Sequence, residues 1–437
     1  MLRRFTVLVV ALALIATACT DDADQPTTTS TTTVAATTTS TLAPDAPVDD
    51  DVAREIRAEI DELIVLTEEI RGLPFLTEPE ITVLNAADLS DRVAAMIEED
   101  IDREEIERAD ALNTLLGMMD EDEDLMQIFL DVYSEQVAGF YDGGTGELVV
   151  RAKADGLSPL DRSIVVHELV HALTDQHFQW YPTLENLGDT RRFEEAAALR
   201  ALLEGDATYF QIVYLESLSV AEQFALATEA LEADTSAIDA APEFIEAELA
   251  FPYNDGYLFT LELVDQGGIA AVDQAYVDIP VTTEQILHPD RYVANDDGFA
   301  VSLPPTSVSG WTVVEDGVFG ELGLQLLLLE SVPAGDITQA STGWRGDAYR
   351  VLTAGDDVAI VLEYLGETER DAIELTEALI DHIRRSMDVG DGLGDGAGLL
   401  FEGETGYVFL DREEDALTFI ASTDAAAGAA LRSSLDG

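Results

Sequence analysis

The sequence predicts an α+β fold: a mainly helical half with a small edge sheet, then a C-terminal α+β domain built on an antiparallel sheet. Three observations carry this. Apolar residues recur at helical spacing from about Asp51 to residue 250. After about residue 300 they fall into short strand-like runs. Within the first region, two short apolar runs flank the turn Asp142-Gly143-Gly144. With 437 residues, 47% of them hydrophobic, the chain is long enough for two domains and a tail.

At the N-terminus, Arg3 and Arg4 precede the apolar run Phe5 to Ala18, the layout of an export signal. Cys19 follows Ala16-Thr17-Ala18 and resembles a bacterial lipobox, with Ala16 where leucine is usual. Residues 1–19 are therefore expected to be a lipoprotein signal peptide and Cys19 the lipidation site. A plain secretory signal is the other reading. A spanning helix needs about 20 apolar residues, more than this run supplies. Cys19 is the one cysteine, so no intrachain disulfide can form. Residues 20–50, rich in Thr, Ser, Ala and Pro, lack apolar periodicity and are expected to be a disordered stalk. The expected location is outside the cytoplasm, lipid-anchored to the cell membrane.

The first helix should run from Asp51 to the Arg71-Gly72-Leu73-Pro74 stop, with Ile56, Ile60, Leu63 and Ile64 near one face. A strand at Ile81–Leu84 follows, then helices over roughly Val93–Met119. The acidic run at 120–124 has no calcium-loop spacing and is expected to be solvated. Two strands around Asp142-Gly143-Gly144 precede a strongly apolar helix, and residues 193–250 are helical in composition. Beyond 300, the segments VSGWTVVEDGVFG, DAYRVLTA, DDVAIVLEYL and TGYVFLD predict strands. ERDAIELTEALIDHIRRSM and EEDALTFIAST look helical. The expected domains are thus 51–300 and 301–437.

Charge narrows the partners. Twenty-two basic residues face 88 acidic ones, for a net charge of −66. No basic surplus exists to neutralise nucleic-acid phosphates or to dock on an anionic membrane surface. Self-repulsion of this size is relieved by salt, which suggests a saline working environment; a generally acidic proteome is the plainer explanation.

The chemistry lies in the helix that starts at Ser158-Pro159-Leu160-Asp161, where serine caps, proline takes the first helical position and Asp161 meets the dipole. Its apolar residues point in nearly every direction, so the helix should be buried. Set into it are His167, Glu168 and His171. Histidines four apart share a helix face and can direct ring nitrogens at one Zn2+; Glu168, one step round, can act as general base on a metal-activated water. A catalytic zinc needs a third protein ligand. Glu204, among small and apolar residues and next to Gly205, which would allow two helices to approach closely, is the leading candidate. Glu194, Glu195 and Asp206 compete. Mn2+ and Co2+ remain alternatives to zinc. His177 is expected to pack, and Asp175 either orients His171 or is an ordinary polar position. For the oxyanion donor, His288 is the leading candidate, with Arg291, Tyr292, Tyr253 and Tyr257 as alternatives.

HELVHALTDQHF, with ALLEGDAT, FPYNDGYLF, TTEQILHPDRY and GWRGDAY, resembles a family of secreted bacterial HExxH proteins of gluzincin type, over about half the chain. The resemblance implies a zincin-like core, Glu204 as third ligand and, from zincin architecture, a strand at Glu147–Val150 that binds extended peptide by edge pairing. The function expected from the sequence is zinc-dependent hydrolysis of a peptide or protein substrate. The alternatives are a non-catalytic surface lipoprotein with a structural zinc and a partner-binding C-terminal domain, or a zinc hydrolase of cell-wall amides.

Overall fold

A computed structural model of the chain describes residues 47–153, 156–303, 306–395, 398–403 and 406–435. The signal segment 1–19, with Cys19, and the stalk up to residue 46 lie outside the described residues. The fold is α+β, with a helical half followed by an antiparallel sheet domain. Among the described residues, no helix is long and apolar enough to cross a membrane.

Helix α1 (Asp50–Arg71) begins at Asp49, whose side chain accepts the Asp51 N–H, and ends at Gly72 in the left-handed region with φ 77°. Its Ile56, Ile60 and Leu63 pack on Leu148, Val150, Val165 and Leu169. After β1 (Glu80–Leu84), the expected helical stretch divides into α2 (Ala86–Asp100) and α3 (Arg103–Leu115). The break comes where Ile101 turns extended and the Asp102 carboxylate caps Glu104 N–H. In the acidic run, Asp120, Glu121, Asp122 and Asp124 are exposed, and Asp124 caps α4 (Leu125–Gln136).

The hairpin β2 (Gly139–Asp142) and β3 (Glu147–Arg151) joins β1 in a three-stranded sheet ordered β1-β3-β2. This corrects the edge-strand expectation at Glu147–Val150. Strand β3 is central, parallel to β1 (Glu80 opposite Glu147) and antiparallel to β2 (Gly139 opposite Val150). Its hydrogen-bonding groups are engaged on both sides, and β2 is the edge that lies against the histidine helix.

That helix is α5 (Pro159–Phe178), and α6 (Trp180–Asp189), α7 (Phe193–Ser217), α8 (Val220–Leu231), α9 (Ser236–Asp239) and α10 (Glu243–Gly267) follow. Short helices α11 (Ile269–Ala275), α12 (Thr283–Leu287) and α13 (Pro289–Ala294) close this half. The remainder contains β4 (Thr312–Gly317), α14 (Gly320–Leu328), α15 (Ala334–Ser341), β5 (Trp344–Ala354), β6 (Asp357–Gly366) and α16 (Glu369–Ser386). Strands β7 (Leu393–Asp395), β8 (Gly398–Glu402), β9 (Tyr407–Glu413) and β10 (Ala416–Ser422) and helix α17 (Ala425–Leu435) complete it. Its seven strands are ordered β4-β5-β6-β10-β9-β8-β7, every neighbouring pair antiparallel.

EEDALTFIAST is not a helix. It turns through Glu414 (φ 54°) into β10, where Leu417, Phe419 and Ala421 face one core and Ile420 the other. That two-residue alternation satisfies both faces of the sheet at once. One apolar cluster has members on both sides of residue 300. Val93, Tyr133 and Val149 belong to the same apolar cluster as Leu362, Tyr364 and Phe419.

Candidate metal centre

Helix α5 starts with a reciprocal capping box: Ser158 Oγ accepts Asp161 N–H, and the Asp161 carboxylate accepts Ser158 N–H. From Asp161 to Thr174 every residue but Arg162 is buried. Burial on all sides removes water from His167, Glu168 and His171, so their polar atoms must be satisfied inside the protein.

Helix α7 supplies the partner. Glu204 Oε2 lies 3.0 Å from His167 Nε2 and 3.3 Å from His171 Nε2, and the two Nε2 atoms are 2.9 Å apart. Among the described residues these three form the one group of His, Cys, Asp or Glu side chains whose ligand atoms all lie within 4.8 Å of one another. Tetrahedral zinc with bonds of about 2.0–2.2 Å separates its ligands by roughly 3.3 Å, close to this triangle. The donor set fits for an electrostatic reason too. Burial lowers the His167 pKa, which favours the neutral imidazole that a metal ion requires. Three lone-pair donors converging in a dry interior repel one another unless a cation sits among them. Burial alone would raise the Glu204 pKa, but His171 and His167 outweigh it and hold the carboxyl at about 2.

Glu168 points back toward the sheet. Its Oε2 accepts the Tyr141 N–H of β2 at 2.8 Å, and among the described residues its buried Oε1 has no partner. Burial, then the negative charge of Glu204, pushes its pKa well up. Tyr141 is held in turn, because its hydroxyl donates to Asp175 Oδ2 at 2.9 Å while Asp175 Oδ1 accepts Tyr181 N–H. Asp175 therefore fixes the strand that fixes Glu168; of its two readings, orienting His171 by a hydrogen bond is not seen among the described residues, where His171 Nδ1 has no partner. Trp180 stands edge-on to His171, with ring centroids 6.1 Å apart.

The competing carboxylates go elsewhere. Glu194 accepts from Thr283 Oγ1 at 2.9 Å, Glu195 pairs with Arg192, and Asp206 accepts from Arg71 at 3.2 Å and from the Tyr276 hydroxyl at 2.9 Å. His177 Nε2 donates to the Pro74 carbonyl at 2.7 Å, away from the metal ligands. Gly205 does permit a close approach, but to Gly256 of α10 rather than to α5.

His288 does not join the cluster. Its Nε2 lies 3.0 Å from Glu321 Oε2, and among the described residues no hydrogen bond or ring contact ties it to His167, His171 or Glu204. Arg291 pairs with Asp296 and Glu367, and the Tyr292 hydroxyl donates to the Asp278 carbonyl. The hydroxyl beside the site belongs to Tyr253. Its ring centroid is 6.1 Å from that of His167, and it lines the same cavity as Glu204, whose charge acts on its hydroxyl. Burial, then the charges of Glu204 and Glu168, raises the Tyr253 pKa well above its ordinary value, so this hydroxyl keeps its proton.

Residues 310–432 match a family described as a domain of unknown function, DUF8575. The match lies wholly within the sheet domain and leaves the histidine helix outside it. No match is found among curated proteins. Among solved structures, a similar chain from Chloroflexus aurantiacus is described as a provisionally assigned hydrolase with a novel fold. It shares 18% identity at a TM-score of 0.38, over 58% of this chain and 94% of that one. The likeness is too slight to transfer fold or chemistry.

Proposed function

We propose that this protein is a zinc-dependent peptide-bond hydrolase of the gluzincin-like HExxH type, exported and held at the outer side of the cell membrane by a lipid on Cys19. The observation that carries the catalytic part is the buried triangle of His167 Nε2, His171 Nε2 and Glu204 Oε2 with Glu168 adjoining it. The leader and its Cys19 context support the location.

His167, His171 and Glu204 would hold the ion, which when bound would polarise a carbonyl, lower the pKa of a water and oppose the burial that raises the Glu168 pKa. Glu168 takes a proton from the attacking water as the new C–O bond forms. It returns that proton to the amide nitrogen as the C–N bond breaks. The Tyr141 N–H keeps one carboxylate oxygen occupied and orients the other. Tyr253, with its hydroxyl proton retained, can donate to the carbonyl oxygen as negative charge develops there.

The test joins metal content by mass spectrometry with peptide cleavage. Wild type should carry about one zinc per chain. His171→Ala should lose it, and Glu168→Gln should keep it while cleavage falls by about 10²-fold or more. Zinc retained with no cleavage of any peptide, and unfolding on chelation, would favour the structural-metal lipoprotein instead.

A further inference from the structure

A cavity of about 340 Å³ opens beside Glu204 and Tyr253. Its volume lies within the roughly 300–1,000 Å³ of small-molecule sites. Away from those two residues its lining is mostly apolar: Leu116, Phe129 of α4, Phe244 and Leu249 of α10, and Phe319 and Leu322 at and within α14. Of the other charged groups on its wall, Glu194 is engaged by Thr283, Glu315 by the Tyr349 hydroxyl, and Glu248 and the buried Arg200 offset one another. They offer little to a cationic substrate. What the cavity presents to an incoming chain is apolar surface that starts at a metal ligand.

We infer that this cavity receives a large apolar side chain, leucine or phenylalanine in size, from the residue next to the scissile bond, and that the C-terminal sheet domain builds its far wall. The inference rests on the metallopeptidase reading and adds the substrate class. Glu204 belongs both to the metal triangle and to the cavity lining, so a peptide whose carbonyl reaches the triangle has its neighbouring side chain at the cavity mouth. Phe319, Leu322 and Tyr349 fall within residues 310–432, which gives the segment of unknown function a definite role in substrate selection. Apolar pockets discriminate by about 10- to 200-fold per methylene-scale change, so a preference of this origin is measurable.

The experiment uses the zinc-loaded protein and two readouts. Peptides carrying Leu or Phe beside the cleaved bond are compared with Gly and Asp counterparts. Binding of a hydroxamate with a benzyl side chain is compared with that of acetohydroxamate. Both preferences are expected to exceed about tenfold. Ala197, seven residues before Glu204 on α7, also lines the cavity, so Ala197→Leu should cut both preferences about tenfold with zinc content unchanged. Leu322→Ala should instead shift preference toward a side chain larger than phenylalanine.

Equal handling of large and small groups by wild type, or ratios that neither substitution moves, would overturn the inference. Displacement of the benzyl probe by decanoate, without side-chain preference in peptides, would assign the cavity to an acyl chain and overturn it too. If no peptide is cleaved but the hydroxamate preference and its loss in Ala197→Leu persist, the metallopeptidase reading fails while the apolar assignment of the cavity stands.

Discussion

Gly205 of α7 and Gly256 of α10 meet backbone to backbone. A Cβ placed on Gly205 would come within 2.0 Å of the Gly256 carbonyl oxygen, and one on Gly256 within 2.1 Å of the Ala201 carbonyl oxygen. Neither glycine has a positive φ, so the need is for space and not for backbone freedom. The crossing sets Tyr253, three residues before Gly256, against Glu204, the neighbour of Gly205. Gly256→Ala should therefore destabilise the fold by about 1–3 kcal/mol through overpacking. It should also weaken zinc binding, because the helices part where the ligand sits. A urea melt and a zinc competition assay would show both, and unchanged zinc affinity would separate the crossing from the site.

Tyr253→Phe removes one hydroxyl and little volume. Kcat for peptide cleavage should fall by about 10²-fold, with KM changed far less and zinc retained. His288→Ala should leave kcat within a few-fold of wild type, since its imidazole pairs with Glu321. Reversal of that order would restore His288 as the oxyanion donor.

Arg71 is wholly buried, at 3.2 Å from Asp206 and 2.7 Å from Asp273. Arg71→Met leaves the buried Asp206 carboxylate with no cation, at a cost of about 3–5 kcal/mol. The double variant with Asp206→Asn should recover part of that loss, as read from chemical denaturation. No recovery would mean that the network contributes by shape alone.

Three buried carboxyls around α12 and α14 favour the protonated state. Burial raises Glu194 to about 8, Glu284 to about 7 and Asp347 to about 6. For Glu194 and Glu284 the charge of Glu321 adds to burial. A carboxyl with a raised folded pKa binds its proton more tightly when folded, so its contribution to stability is full below the unfolded value, 4.5 for the two glutamates and 3.8 for Asp347, and is lost as pH rises through the folded one. Stability should thus decline between about pH 4.5 and 8. Glu194→Gln, which keeps an acceptor for Thr283, should flatten that decline, seen as a higher urea midpoint at pH 8 and little change at pH 5. Parallel midpoint curves for the two proteins would refute the assignment to Glu194.

With a net charge of −66, the thermal midpoint should rise between low and high sodium chloride as repulsion is screened. A flat salt response would show that the carboxylates are already balanced by local partners.

Local chemistry is readable in this sequence and distant pairing is not. The Ser158 cap, the Gly72 stop, the hairpin at Gly143 and the four-residue histidine spacing each depend on neighbours in sequence. The edge role of β3 comes from zincin architecture alone, and nothing local corrects it, because its parallel partner β1 lies 67 residues earlier by register (Glu80 opposite Glu147). EEDALTFIAST reads as a helix because so short an apolar run fits either period; the core on each face decides for the strand. Glu204 stands among four carboxylates that spacing alone does not separate. Tyr253 reaches the site through a helix crossing, whereas His288, favoured by its residue type, is brought to Glu321.

One apolar core drawn from both halves makes completion of the chain a condition for folding. Val93 and Tyr133 leave the ribosome long before Leu362 and Phe419 exist to cover them. The histidine helix therefore waits, during synthesis, in a half whose flank is still wet. A fragment ending at residue 300 is expected to aggregate instead of surviving as a small protease, and its solubility on expression would reveal this. On the hydrolase reading proposed above, the chain is expected to stay inert until its last strands arrive, which would protect the cell that makes it.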